Sequence, residues 1–374
     1  MLLFLAALAF QAPSTPPSGW GSPAPATTRS WPTREGEVVL SNFRFRSGEV
    51  LPELRMHYIT LGSPRRNARG QIDNAVMVLH GTGGDGKQFL RPQFADELYG
   101  PGQPLDIGKY WIILPDNIGH GKSSKPSDGL RMRFPRYDYD DMVEAQYRML
   151  QGIGVSELRL IIGTSMGCMH AFVWGETHPA FARALMPLAC QPVEIAGLNR
   201  MWRQLTIGGI EADPAWKNGD YRAEPTQGLR TAESLLFIAG SAPIYYQAQY
   251  STRAAASAFA EDRIASGIKE LDANDLIYQL DSSRNYNPWP KLESIAVPVT
   301  WINSADDFIN PRNFRYPQIA VRRMKNARFR LIPETTETRG HGTHTWAKFW
   351  KDDLIALLAR SEPERGRMPK RGSQ

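Results

Sequence analysis

Five residues near the middle of the chain, Gly163-Thr164-Ser165-Met166-Gly167, have the types and spacing of a nucleophile turn. The pattern G-x-S-x-G carries chemistry only where a buried strand runs into it and a helix leaves it. Leu160-Ile161-Ile162 is a short apolar run that reads as such a strand, and residues 168–176 are helix-competent. So sharp a turn strains its central residue and needs small neighbours. Gly163 and Gly167 stand two residues either side of Ser165. The chemistry would be attack by the serine hydroxyl on an electrophilic carbon. The competing reading is a Gly-rich turn with an incidental serine.

A serine hydroxyl is a poor nucleophile until a histidine takes its proton and a carboxylate orients that histidine. Where the serine sits on a strand-to-helix turn, acid and then histidine follow it along the chain. Of seven histidines, only His341 and His344 come after the last expected strand; His57, His80, His120, His170 and His178 are too early. His341, in the flexible loop Arg339-Gly340-His341-Gly342, is the expected base. His344 lies nearer the final helix, where a capping or surface role competes. The acid should sit in the loop spanning residues 303–311, which offers Asp306 and Asp307. Pro311 follows Asp307 by four residues, the commoner spacing, so Asp307 is expected as acid with Asp306 capping the turn. One residue of register would exchange them. The oxyanion of a tetrahedral intermediate needs donors as well. The Met166 backbone N–H and that of Thr82, in His80-Gly81-Thr82-Gly83-Gly84, are the candidates, with His80 bonding loop backbone.

These groups must be carried by a sheet. Residues 37–46 and 54–61 alternate in polarity like two antiparallel strands. Apolar runs at 75–79, 110–114, 160–162, 184–189, 297–302 and 329–332 bring the count to eight strands, and the later ones alternate with helices. The pattern predicts a doubly wound, mostly parallel α/β sheet. Residues 139–152 have helical spacing, with Met142, Ala145, Met149 and Leu150 on one face, and 346–358 close the fold as an amphipathic helix. More than a hundred residues after the sixth strand show helical patches but no clear strand. The expected organisation is core over 31–192, a helical cap or lid over 193–292, and core again over 293–359. Trp202, Trp216, Tyr245, Tyr246 and Trp289 either line a pocket or form the small core of the cap, and the second reading is the commoner for such residues.

Composition narrows the classes. The chain has 374 residues, 42% apolar, with 44 basic and 38 acidic residues, a net charge of +6. The segment 360–374 reads as a basic solvated tail, and no basic–aromatic weave suggests a nucleic-acid partner. Residues 2–10 are unbroken apolar but too short to span a bilayer, and a Pro/Ser/Thr/Ala-rich spacer follows to residue 30. Together 1–30 resemble a secretory signal peptide with Ala7-Leu8-Ala9 at the cleavage site, although the first basic residue is Arg29. Export to a periplasm or the medium is expected, a cytoplasmic location being the alternative; no transmembrane span is expected. Two cysteines, Cys168 and Cys190, are too few for a metal cluster and read as buried free thiols rather than a disulfide. Gly81-x-Gly83-x-x-Gly86 matches a dinucleotide pattern, but the strand-end acid, Asp116, comes thirty residues on instead of about 20. Gly121-Lys122-Ser123 fails as a phosphate loop because Asp116 stands where the first glycine belongs. No metal and no organic cofactor is called for.

Residues 38–358 resemble the α/β-hydrolase superfamily, and within it the homoserine O-acetyltransferase family and its hydrolase-like relatives. The resemblance rests on Asp141-Met142-Val143-Glu144-Ala145-Gln146, on 163–179, on 213–221, on Leu271-Asp272-Ala273-Asn274-Asp275-Leu276 and on 306–311. It implies an α/β-hydrolase fold with a helical cap after the sixth strand, Ser165 as the acyl-carrying nucleophile, Asp307 as acid and His341 as base. It also implies Arg203, in a run similar to the substrate-gripping stretch of that family, as a substrate contact. The chain departs from the family in its loops. His80-Gly81-Thr82-Gly83-Gly84 stands where the transferases resemble H-A-L-T-G, and Gly119-His120-Gly121-Lys122-Ser123-Ser124 where they carry a G-S-T-G-P-like stretch. The expected activity is therefore hydrolysis of a small-molecule carboxylic ester through an acyl-enzyme. The alternatives are an O-acyltransferase drawing on acetyl-CoA as acyl donor and a catalytically silent binding protein on the same fold. A homodimer is compatible with either activity.

Overall fold

A computed structural model describes residues 29–362. The expected signal peptide and nearly all of the basic tail lie outside the described residues. Eight strands form one sheet in the order β1-β2-β4-β3-β5-β6-β7-β8. They are β1 Thr33–Arg44, β2 Val50–Leu61, β3 Ala75–Leu79, β4 Trp111–Pro115, β5 Leu160–Thr164, β6 Leu185–Leu188, β7 Val299–Ser304 and β8 Ala327–Ile332. β1 and β2 form an antiparallel hairpin, β2 meets β4 antiparallel, and every later pairing is parallel. β3, β4 and β5 are buried at every residue, which is why they appear in the sequence as continuous apolar runs instead of alternations.

The helices are α1 Pro92–Leu98, α2 Tyr139–Gly152, α3 Met166–Thr177, α4 Gly197–Glu211, α5 Thr226–Ala239, α6 Pro243–Gln249, α7 Arg253–Gly267, α8 Ala273–Asp281, α9 Tyr316–Arg323 and α10 Lys351–Arg360. α2 starts where the Asp138 carboxylate accepts from the Asp141 N–H at 3.0 Å and the Asp141 carboxylate accepts from the Asp138 N–H at 3.0 Å, a reciprocal cap. Alternate strand residues face opposite layers. Met77, Leu79 and Ile161 pack with α2 and α3, while Val76, Val78 and Ile162 pack with α1 and α10. Between β6 and β7 the described chain is helical, α4 to α8, and has its own cluster of Trp202, Trp216, Tyr221, Leu229 and Leu276. Trp216 therefore serves the core of this insertion, Trp202 belongs to that core and also lines a cavity over Ser165, and Trp289 packs against the main core. α8 fastens the insertion down. The Asp275 carboxylate accepts from the Ser127 N–H at 2.8 Å and its hydroxyl at 2.7 Å, and the Gln279 side chain donates to the Gly119 carbonyl at 2.7 Å.

Two expectations need correction. The closing helix begins at Lys351 and not at residue 346. Trp350 is fully buried, meets the Phe94 ring at a tilt of 60° with centroids 5.6 Å apart, and donates its indole N–H to the His344 carbonyl at 3.0 Å, which holds residues 340–349 in short turns. The cysteines are not free thiols: Cys168 and Cys190 form a disulfide, with Cα atoms 5.8 Å apart. The link joins the first turn of α3 to the chain leaving β6, two segments the parallel pairing of β5 and β6 already brings together. Closing a loop of 22 residues should contribute about 3 kcal/mol. The Cys168→Ala/Cys190→Ala variant is expected to lose that amount in a urea titration, and dithiothreitol should move wild type toward the same midpoint. An unchanged midpoint in the variant would refute the contribution.

Behind α3 a buried polar chain joins three elements. The Gln146 amide N–H₂ donates to the Asn117 side-chain oxygen and, at 3.2 Å, to His170 Nδ1, while its oxygen accepts from the Trp174 indole at 2.6 Å. Burial, aided by the nearby His80, pushes the His170 ring down to about 3. The unfolded chain, titrating near 6.5, therefore binds this proton first. The contribution of a neutral His170 is complete above pH ~6.5 and is lost as pH falls toward 3, at about 1.4 kcal/mol per pH unit. His170→Phe should flatten the dependence of unfolding free energy on pH between 6 and 4 by about one proton relative to wild type. Parallel curves would show that His170 is not held neutral.

Candidate active site

Ser165 stands between β5 and α3 with φ 53° and ψ −110°, a conformation L-residues avoid. The crowding that enforces it is explicit. A Cβ on Gly163 would lie 1.9 Å from the Gly167 carbonyl oxygen, and one on Gly167 would lie 2.2 Å from the Leu79 carbonyl oxygen. The Ser165 N–H donates to the Leu188 carbonyl at 2.8 Å and the Gly167 N–H to the His80 carbonyl at 3.0 Å. The turn is thus held from β6 and from the end of β3, and it lifts the serine hydroxyl above the carboxyl ends of the parallel strands.

The loops after β7 and β8 come to meet it. His341 Nε2 lies 2.7 Å from Ser165 Oγ, and His341 Nδ1 lies 2.9 Å from Asp307 Oδ2. That hydrogen-bond pattern assigns the proton to Nδ1, donating to the carboxylate, and leaves Nε2 to accept from the serine. The Asp307 side chain has no solvent exposure. Burial alone would raise its carboxyl. The facing His341 ring and the donors of Asn310 outweigh that and hold it below the usual value. Asn310 donates from its side chain to Asp307 Oδ2 at 2.8 Å and from its backbone to Oδ1 at 3.1 Å. His344 is brought to neither partner: its ring stands edge-on to His341, centroids 5.2 Å apart, and burial pushes it down to about 3.

The loop after β3 passes directly over the serine, since a Cβ on Gly81 would lie 3.1 Å from Ser165 Cβ. His80 sets this loop. Its Nδ1–H donates to the Gly81 carbonyl at 2.9 Å, and Nε2 accepts from the Asn117 backbone N–H at 3.1 Å and side chain at 3.0 Å. The amides of Thr82 and Met166 have no acceptor among the described residues. One follows Gly81, which passes over the serine, and the other follows the serine itself, so both are candidates to receive developing negative charge. A cavity of about 860 Å³ opens above the serine, bounded by the loops after β3, β4, β6 and β7 and by α4 and α8. Arg203 is in its wall, 3% exposed, with Nε donating to the Asn199 side chain at 2.9 Å and the guanidinium 4.8 Å from the Trp202 ring.

Asp306, the alternative acid, has a different task. Its Oδ2 accepts from the Gly340 N–H at 2.9 Å and the Thr338 hydroxyl at 2.7 Å, and its Oδ1 accepts from the Ser304 hydroxyl. Two adjacent carboxylates therefore grip one loop: Asp306 holds its backbone and Asp307 holds its imidazole. Spacing in sequence could not reveal this, because the partners are 32 and 34 residues away. An asparagine at 306 can keep its oxygen toward Gly340 and Thr338 and turn its amide to Ser304. Asp306→Asn should thus retain turnover within about threefold, while Asp306→Ala, which frees the loop, should lose roughly 10- to 100-fold in kcat. Asp307→Asn should lose on the order of 10⁴-fold, because the wrong imidazole tautomer is favoured. Steady-state kinetics on the three variants check the assignment, and collapse of Asp306→Asn alone would reverse it.

Residues 74–337 match the family described as alpha/beta hydrolase fold. A probable acyltransferase of Methanothermobacter thermautotrophicus is 30% identical over 258 residues, 68% of this chain and 77% of that one. A homoserine O-acetyltransferase of Thermobifida fusca is 32% identical over 232 residues, and the match spans 58% of each chain, under two thirds of that relative's length. An acetylester hydrolase from Corynebacterium glutamicum superposes with a TM-score of 0.75 at 20% identity, covering 87% of this chain and 96% of that one. The matched segment runs from just before β3 to the loop that carries His341 and holds the elbow, the acid loop and the helical insertion between them. The chain belongs to the α/β-hydrolase family and is a homoserine O-acetyltransferase-like enzyme.

Proposed function

We propose that the protein hydrolyses carboxylic esters through a Ser165 acyl-enzyme. The observation that carries the reading is the continuous relay from Asp307 through His341 to Ser165, 2.9 and 2.7 Å long. His341 Nε2 takes the Ser165 proton as Oγ attacks the ester carbonyl. The Thr82 and Met166 amides receive the oxyanion, each donor typically worth about 3 kcal/mol of barrier. His341 then gives its proton to the departing alkoxide, and the same histidine activates the water that releases the acid.

Water as acceptor is favoured by the Cys168–Cys190 disulfide. Such bonds persist in oxidising compartments and are rare where cytosolic reductants act. Together with the signal-peptide-like start, the disulfide supports export, and exported enzymes do not meet acetyl-CoA, which is cytosolic. Acyl transfer to an alcohol is the second reading; the names of the sequence relatives and the buried Arg203 in the cavity wall favour it.

The test is turnover of a p-nitrophenyl ester by the purified protein, with and without an alcohol acceptor, and separately of acetyl-CoA with homoserine. Hydrolysis in the first mixture, abolished by Ser165→Ala, is expected. Activity confined to acetyl-CoA and homoserine would replace the hydrolase with the transferase. No turnover anywhere, and no labelling of Ser165 by a fluorophosphonate, would leave a binding protein.

A further inference from the structure

The cavity above Ser165 has two unlike walls. Loops after β3 and β4, together with α8 and its cap, contribute charged groups of both signs, Lys87, Arg91 and Lys125 with Asp85, Asp272 and Asp275, among which only Leu271 and Leu276 are large and apolar. The chain leaving β6 contributes mainly apolar groups, Ala189, Cys190, Val193, Ile195 and Leu198, interrupted by Gln191 and Glu194. The loop after β7 continues this side with Phe308, Ile309, Pro311, Phe314 and Tyr316. Met169 of α3 carries the apolar surface down to the serine.

The apolar wall does not stop where the cavity opens. Leu198, Phe308, Phe314 and Tyr316 line it and yet are 52%, 44%, 43% and 40% exposed. Single exposed hydrophobic residues are ordinary, but four at one mouth, continuous with buried apolar lining, form a patch of the kind that marks a binding surface. The rings are mutually supported: Phe314 and Tyr316 are 5.6 Å apart and Tyr316 meets Trp289 at 5.8 Å. A small polar acyl group or alcohol would touch none of this rim.

We infer that the substrate is an amphiphilic ester, with an apolar chain lying along the β6–β7 wall toward Phe314 and a compact polar substituent facing the charged wall. The inference rests on the hydrolase reading and deepens it. Each methylene moved from water onto a one-sided apolar surface should raise kcat/KM about twofold, roughly half the effect of full burial in logarithmic terms.

Two substrate series test this. The first is p-nitrophenyl esters from acetate to decanoate, which vary the acyl chain. The second is acetates of straight-chain alcohols from ethanol to decanol, which vary the leaving group. A rise in kcat/KM of at least tenfold along either series supports the inference and says which substituent uses the wall. A fall along both overturns it. Phe314→Ser should then lower the ratio of octanoate to acetate turnover, or of octyl to ethyl acetate, at least fivefold, and an unchanged ratio overturns the wall assignment. If instead the rim pairs two copies of the chain, neither series rises and Phe314→Ser converts a dimer to a monomer in sedimentation, which also overturns the inference. Robust acetate turnover with a falling series defeats this inference alone, whereas no ester turnover and no fluorophosphonate labelling defeats the hydrolase reading beneath it.

Discussion

Three backbones crowd together around Ser165, and the rest of the site depends on their doing so. Gly167 has no room for a side chain against the Leu79 carbonyl, Gly163 has none against Gly167, and the Gly167 N–H is tied to the His80 carbonyl at 3.0 Å. These contacts force φ at Ser165 to 53°. The strain of such a residue is tolerable only when its surroundings over-determine it. Here β3, β5 and β6 do so through ladder bonds that exist whether or not the serine is present. One geometric consequence is that the Met166 amide, the first N–H of α3, is left without an intrahelical partner beside the hydroxyl. The second is that the loop after β3 must run over the serine, which brings the Thr82 amide near.

Asp307 and His341, the proposed acid and base, rest on the same support. The Ala189 carbonyl, just past β6, accepts from the Asn310 side chain at 3.1 Å, and Asn310 also donates to Asp307. Cys190, the next residue, exchanges hydrogen bonds with the Asn303 side chain on β7 and is covalently joined to α3. The end of β6 is thus the common anchor of the Ser165 turn and the Asp307 loop: Leu188 takes the Ser165 N–H, Ala189 holds Asn310, and Cys190 locks both. Asp306 extends the chain of constraint to the histidine loop. A relay whose two links must stay near 2.7 and 2.9 Å needs such bracing, since an ångström of drift costs about 10²-fold in rate.

Much of this was legible in residue patterns, for physical reasons. Parallel strands buried on both faces must be apolar throughout, so β3, β4 and β5 announce themselves, and α2 carries both a capping carboxylate pair and a clean 3.6-residue stripe. Chain order and loop position single out Ser165, Asp307 and His341, and the structure brings these three side chains into one hydrogen-bonded line. The missed features depend on distance in space. Nothing in a separation of 22 residues says that Cys168 and Cys190 approach to 5.8 Å, because β5–β6 pairing creates that proximity. Likewise the aromatic spacing of Trp346, Phe349 and Trp350 imitates a helix, yet Trp350 is buried at φ −141° to hold the turns that carry His341. The local pattern was overruled by where one indole had to go.

The division of the cavity bears on the second half of the proposed ester hydrolysis. Deacylation needs an acceptor hydroxyl at His341 Nε2 while the acyl group still occupies Ser165. If the acyl chain is the substituent on the apolar β6–β7 wall, departure of a polar alcohol vacates the side lined by Lys125, Ser127 and Asp275, whose polar groups can solvate an entering water in the cavity that His341 also lines. An apolar wall filled by substrate excludes water only from its own side. In that arrangement the groups that hold the chain and the groups that admit the acceptor do not compete, so a single relay serves both halves of the reaction without any movement of the elbow.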